Sequence, residues 1–263
     1  MQSEYGDAVQ VILVESQGAS DDDAQAFALK HKWLGNRAIW TTERPFSTGG
    51  NGLPSYALIS PTGEIVLTGN TASDHSKIAK AIEEMLKSGS SAPANTDASV
   101  AKLYRELDKG NLAKVVLESQ KIAAKAAGKE PSVEAAAKAV EAAAGSKLDR
   151  EIARVKWLAS NGRLLQAQAA QEFLLKGVKG HADFETRAAE LAKLFEGPEA
   201  QQSLAVEREL SQLEKELFAE DVKDPLKVAK KLRKFSAANA GTKAAERADA
   251  FATMAEKSAQ VKS

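Results

Sequence analysis

The stretch Gly52-Leu53-Pro54-Ser55-Tyr56-Ala57-Leu58-Ile59-Ser60-Pro61-Thr62-Gly63-Glu64-Ile65-Val66-Leu67-Thr68-Gly69 decides the fold of the first third of this chain. It predicts a β-hairpin. Ser55–Ser60 is rich in residues that suit a pleated strand. Pro61-Thr62-Gly63 supplies the turn, with proline presetting φ and glycine free to take φ > 0. Glu64–Thr68 is the returning strand. Pro54 opens the first strand, where its missing N–H costs a ladder least.

Working outward, Ala8–Glu15 (AVQVILVE) is a short apolar run that predicts a buried strand of a parallel sheet. After the loop Gly18-Ala19-Ser20, the acids Asp21, Asp22 and Asp23 open a helix to about Lys32. They suit the positive end of the helix dipole, and Ala24, Phe27 and Ala28 form its apolar stripe. Ala38-Ile39-Trp40 is a short strand. Ser47–Gly52 is glycine-rich but lacks the Lys-Ser/Thr of a phosphate loop and opens no helix. Asp74 is expected to cap a helix from about His75 to Lys87, with Ile78, Ala81, Ile82, Met85 and Leu86 on one face.

This order of elements, with Gly52-Leu53-Pro54, an apolar strand, Pro61-x-Gly63, a second apolar strand and Gly69, resembles the second half of the thioredoxin fold in its TlpA and peroxide-reductase branch. The resemblance covers residues 1–87, about a third of the chain. It implies a cis proline at Pro54 and a peptide-binding role for Leu53 and Pro54, whose backbone would take an extended peptide by strand addition. In that family the proline faces a Cys-x-x-Cys motif. This chain has no cysteine, and the family's first strand and motif helix have no counterpart in it. The missing strand would lie between the Ala8–Glu15 strand and the hairpin, so the domain is expected to be an incomplete thioredoxin-like one.

Ser88–Asp97 is small and polar and predicts a linker, which gives domains at 1–87 and 99–263 joined by 88–98. From Ser99 onward alanine, leucine, glutamate, lysine and glutamine dominate, a helix-forming composition. Helices are expected at Ser99–Lys109, Asn111–Ala127, Ser132–Ser160, Arg163–Lys176, Asp183–Phe195, Pro198–Glu220, Pro225–Ala238 and Lys243–Lys257. A weak internal repeat runs through them. Segments starting at Gly110, Gly162 and Lys223 each hold one helix closed by a glycine, at Gly128, Gly180 and Gly241. Ile122, Leu174 and Phe235 share one offset, and Val115, Ala167 and Val228 another. The unit reads as a helical hairpin that buries its stripe only by stacking on neighbours. It resembles tetratricopeptide repeats, although its starts are unevenly spaced. The fold class is thus an incomplete thioredoxin-like α/β domain followed by an all-α helical-hairpin domain.

The chain has 263 residues, with 36 Lys+Arg against 36 Asp+Glu. Zero net charge argues against broad electrostatic binding to nucleic acid or an anionic membrane. The absence of cysteine excludes thiol catalysis, disulfides and thiolate metal sites within this chain. No apolar run approaches a membrane span. Read from Met1, the chain carries no signal peptide and is expected in the cytoplasm; the family resemblance implies an extracytoplasmic place if the start lies upstream.

The chemistry-bearing residues reduce to structural roles. Asp21–Asp23 point in different directions and serve the helix start. His181-Ala182-Asp183-Phe184-Glu185 offers metal-ligand types but reads as loop, cap and first turn. Ser73-Asp74-His75-Ser76 holds hydrolase residue types that adjacent positions cannot converge. Glu83-Glu84 and Glu214 with Glu216 read as solvated faces. Lys227, Lys230, Lys231, Arg233 and Lys234 form a basic helix face balanced by Glu220, Asp221 and Asp224. Trp157 with Leu158 is expected in the helical core, and so are Trp33 and Trp40, which could otherwise line a groove near Pro54. No cofactor or metal is implied. The expected function is that of a redox-silent thioredoxin-like protein whose helical-repeat domain binds protein or peptide. The alternative is a thiol–disulfide oxidoreductase whose Cys-x-x-Cys segment lies upstream of Met1.

Overall fold

The structure, a computed structural model, describes residues 5, 9–15, 17–33, 39–41, 55–60, 63–88, 92–93, 96–219, 222 and 224–261, without the side chains of 39–41 and 87–88. The elements are β1 (Ile12–Val14), α1 (Asp21–Lys30), β2 (Ile39–Thr41), β3 (Ser55–Ile59), β4 (Ile65–Asn70), α2 (Thr71–Ser88), α3 (Ala98–Asp108), α4 (Leu112–Ala126), α5 (Pro131–Ser160), α6 (Leu164–Val178), α7 (Ala182–Ala189), a 3-10 segment (Glu190–Phe195), α8 (Pro198–Leu217), α9 (Pro225–Ala238) and α10 (Lys243–Ser258). The described chain is mostly helical, with a small strand component.

The chain packs as two compact units. One gathers residues 1–51 and 202–263; the other is 52–201. The linker at 88–98 lies inside the second unit, and the division falls within the first turns of α8. The packing boundary therefore differs from the one that composition suggests.

In the first unit β1 pairs with β2 in parallel, with Ile12 opposite Ile39 and Val14 opposite Thr41. The parallel pairing follows expectation, but the strand is shorter and its burial is not that of a central strand: Ile12 and Val14 are exposed. The sheet is two strands wide among the described residues. α1 starts on Ser20, whose side chain accepts the Asp23 amide at 3.2 Å, with Asp21, Asp22 and Asp23 in the first turn. It buries Ala24, Ala26, Ala28 and Leu29 against α10. Phe27 does not join that stripe: it lies outside, ring to ring with His31 at 4.3 Å and Trp33 at 5.4 Å. Trp33 is 55% exposed and not a core residue. Trp40 lies in β2, its side chain outside the described residues. Leu29 joins Leu210, Leu217, Val228, Leu232, Phe235 and the alanine face of α10 in this unit's core.

In the second unit β3 and β4 form the expected hairpin, antiparallel, with Ser55 opposite Asn70, Leu58 opposite Leu67 and a register irregularity at Ile59. The hairpin is a sheet of its own among the described residues and shares no ladder with β1. α2 packs on it and begins at Thr71 rather than at His75. Asn70 accepts the Ala72 amide through its side chain at 2.9 Å, while Asp74 turns back to accept the Asn70 amide at 3.2 Å. The cap is one turn earlier because asparagine serves as readily as aspartate.

Helices α3–α6 follow the predicted spans to within a residue or two. Two of their turns share one geometry. At the end of α3 the Asn111 amide donates to Glu106 at 3.0 Å across Gly110 (φ +84°); at the end of α5 the Arg163 amide donates to Leu158 at 2.8 Å across Gly162 (φ +65°). Both are six-to-one closures that only a left-handed residue permits. Gly128, Gly180 and Gly241 also take positive φ. The repeat's inner positions are buried at Val115, Ala167, Val228, Leu174 and Phe235, and Ile122 packs against the core. Asp183–Phe195 departs from expectation as one helix: it is α7 followed by the 3-10 segment. The core of this unit runs from Val100 and Leu103 through Val140, Leu148 and Val155 to Phe184 and Phe195.

Candidate functional site

Leu53 and Pro54, together with the bond between them, lie outside the described residues, so the expected peptide site has no geometry here. The described surface draws attention elsewhere, to the α5–α6 hairpin within residues 52–201. α5 is an unbroken helix of 30 residues. Val140, Ala144, Leu148, Val155 and Leu158 form its buried stripe. α6 returns antiparallel after the Gly162 turn and buries Ala167, Gln171, Leu174 and Val178.

A groove of about 370 Å³ opens on this hairpin, lined by Glu151 and Arg154 of α5 and by Gln166, Ala169, Ala170 and Phe173 of α6. Its origin is legible in the residues. Positions 166, 169, 170 and 173 share one helical face, and the middle two are alanines, so the face dips where a longer side chain would fill it. Phe173 is 58% exposed at one end. Its ring is not loose, because it lies over the backbone of the α3–α4 turn: a Cβ on Gly110 would stand 2.8 Å from the ring. One turn further on, Gly177 lies against the Gly110 carbonyl, where a Cβ would overlap the oxygen. The two glycines let α6 rest directly on that turn.

The turn is itself held from several sides. Asn111 donates to Glu106 at 2.7 Å, and Lys114 and Lys109 pair with the same carboxylate, each at 3.3 Å. The Asn111 amide group and then Lys114 hold the Glu106 carboxyl below its ordinary 4.5. Lys147 of α5 donates to the Leu107 carbonyl at 2.7 Å and to Asp108 at 3.2 Å, closing the end of α3.

Trp157 lies one turn along α5 from Arg154. It is 59% exposed and outside the core that its sequence context suggests. Leu158, its neighbour, is buried as expected. The reason is register: Val155 and Leu158 define the inward stripe, and position 157 falls off it. Arg154 pairs with Glu151 at 3.5 Å within its own helix. Asp149 pairs with Arg187 of α7. Phe173 and the alanine dip escaped the sequence reading. The signal that could have found them is Gly177, a lone glycine inside a helical pattern, which marks a close packing approach.

The other candidates resolve into structure. His181 accepts the Phe184 amide through Nδ1 at 3.4 Å, which is a cap. Ser73 donates to the Asn70 carbonyl at 3.3 Å, and Asp74 holds Lys77 at 2.8 Å. The Lys77 ammonium lowers the Asp74 carboxyl. Near Asp74 the Tyr56 hydroxyl is buried without a hydrogen-bond partner among the described residues, and that burial raises it. On the basic helix α9, Lys231 pairs with Glu216 at 2.6 Å. Arg233 forks to Asp249 and to Glu256, the latter at 2.7 Å. Glu214 is not a solvated face: it meets Arg247 at 3.2 Å, and Arg247 also meets the buried Glu207 at 2.9 Å. Among the described residues no group of three or more His, Asp or Glu is placed to hold a metal ion, and no helix is long and apolar enough to cross a membrane.

No protein family matches this chain, and no curated protein or solved structure matches it significantly.

Proposed function

We propose that this chain is a non-enzymatic protein-interaction protein. In this reading the helical-hairpin region binds another polypeptide, and the hairpin at 55–70 belongs to a redox-silent, thioredoxin-like segment. The supporting observation is the surface of the α5–α6 hairpin. Two large aromatics, Trp157 and Phe173, stand more than half exposed on successive helices beside a groove with an alanine floor. Exposed aromatics next to a concavity are the residue types that anchor protein interfaces. The sequence contributes the other half of the reading, since a chain without cysteine has no thiolate nucleophile of its own.

A photo-crosslinking amino acid placed at Gln166 tests this in the full-length chain, in cells of its source. The expected outcome is one or a few discrete protein adducts that disappear when Trp157 and Phe173 are both changed to serine. A chain that gives no protein adduct from this position has no interaction surface there.

A further inference from the structure

The groove carries information about what fills it. Arg150, Arg154 and Trp157 follow one another along the exposed face of α5 at helical spacing. Arg150 forms no ion pair among the described residues. The only ion pair of Arg154 among them is the long one to Glu151 on its own helix, with the guanidinium side chain 64% exposed. Such a pair is weak, so the guanidinium remains available to a better carboxylate. Of the nearby acids, Asp149 is engaged by Arg187, while Glu151, which also lines the groove, is held only by its weak pair to Arg154. Glu172 of α6, Arg150 and Trp157 are not among the groove's lining residues; Arg150 and Trp157 flank the lining Arg154 one turn to either side on α5, whereas position 172 falls off the 166–169–170–173 face of α6. This face of α5 therefore carries two guanidiniums, Arg150 and Arg154, against the one carboxylate of Glu151, an excess of positive charge in a chain whose total charge is zero, and the floor at Ala169 and Ala170 is apolar.

Resting on the interaction reading above, we propose that the α5–α6 groove binds an acidic segment of another polypeptide. One bulky apolar side chain of that segment sits on Ala169 and Ala170 against Phe173, and its flanking carboxylates meet Arg150 and Arg154. The dip takes a side chain of leucine or phenylalanine size and excludes nothing by charge. The guanidinium forks match carboxylates in a bidentate way, which gives register as well as attraction. Phe173 already rests one edge of its ring on the Gly110 turn, which reduces the ordering needed when the anchor docks.

The test uses the full chain and a random peptide library displayed on phage. Enriched peptides are resynthesised with a fluorescent label and titrated by anisotropy. The expected peptides carry aspartate or glutamate around a leucine, phenylalanine or tryptophan. Their affinity should fall at least about tenfold with Ala169→Leu, which fills the dip, and with Arg154→Glu, which reverses the rim. It should fall equally when the acids of the peptide are replaced by lysine. Ala169 is exposed and leucine is a good helix former, so an unchanged thermal melt shows that the first variant is folded. Peptides that bind but ignore both variants overturn this inference and leave the interaction reading standing. Enrichment of basic peptides, or displacement of the bound peptide by oligo-deoxythymidine, overturns the acidic-polypeptide assignment in favour of another ligand class. A library from which nothing is enriched overturns both this inference and the interaction reading.

Discussion

At the scale of single residues, two backbone positions set opposing effects against each other. Gly177 lies in the interior of α6, where alanine would gain about 1 kcal/mol of helix propensity. The methyl group would enter the space of the Gly110 carbonyl. That neighbour is backbone in a left-handed turn, so it cannot rotate aside, and overpacking of this kind costs about 1–3 kcal/mol. The clash wins, because a backbone oxygen cannot give way: Gly177→Ala should destabilise residues 52–201 by up to about 2 kcal/mol in chemical denaturation, although the substitution favours helix. Lys32 presents the reverse case. It holds φ +58° where the Trp33 amide closes on Ala28 at 2.8 Å, the same closure that glycine makes at Gly110 and Gly162. A lysine there carries the left-handed penalty of its Cβ. Lys32→Gly should raise the melting temperature, through about 0.5–1 kcal/mol after the extra freedom of the unfolded glycine is subtracted. A lower melting temperature would mean that this closure is not formed.

At the scale of elements, the helices from Ala98 onward were legible because local signals agree with packing. Asp97, Asp224 and Thr242 cap where capping residues stand, glycines end the helices, and the apolar spacing names the buried face. Two things were not legible. Trp157 has the composition of a core residue, and only the register of Val155 and Leu158 against α6 turns it outward. The small strands depend on partners distant in sequence, so a run such as Ala8–Glu15 reads as a buried strand although, among the described residues, β1 is half of a two-stranded sheet. The α3–α4 turn adds a pH dependence. The Glu106 carboxyl is held below its ordinary 4.5, first by Asn111 and then by Lys114. A depressed carboxyl adds stability that is complete above its unfolded value and is lost as pH falls through the folded one. Amide exchange at Asn111–Lys114 should therefore stay constant from neutral pH to about 4.5, once intrinsic rates are removed, and accelerate below it. Glu106→Gln should flatten that acid limb. An acid limb identical in the variant would assign the effect to another carboxylate.

At the scale of the whole molecule, the packing joins segments that the sequence keeps far apart. α1, near the beginning, lies on α10, near the end. Leu29 shares a core with Leu210, Leu217, Leu232 and Phe235. Around that core Lys257 reaches Asp22 at 3.1 Å and Asp23 at 3.2 Å, and Lys30 donates to the Val261 carbonyl. The Ser20 hydroxyl and then Lys257 lower the Asp23 carboxyl. The composition shift at Ser99 could not announce this, because it records where helix-formers begin and not what they pack against. The alanines of α10, at 244, 245, 248, 252 and 255, are what make a second helix fit closely: small side chains admit α1 with its own Ala24, Ala26 and Ala28. The two cores share no residue, so a cavity in one should be felt there first. Leu29→Ala should cost about 2 kcal/mol, the lower end for a large-to-small core change because Leu29 is at the rim of its cluster. In native-state hydrogen exchange of the full chain, the amides of α10 should lose protection by that amount. Those of α4, α5 and α6 should keep theirs. Loss spread evenly over all these helices would mean that the chain opens as one cooperative body. Unchanged protection in α10 would mean that α1 contributes nothing to the core it is seen to complete.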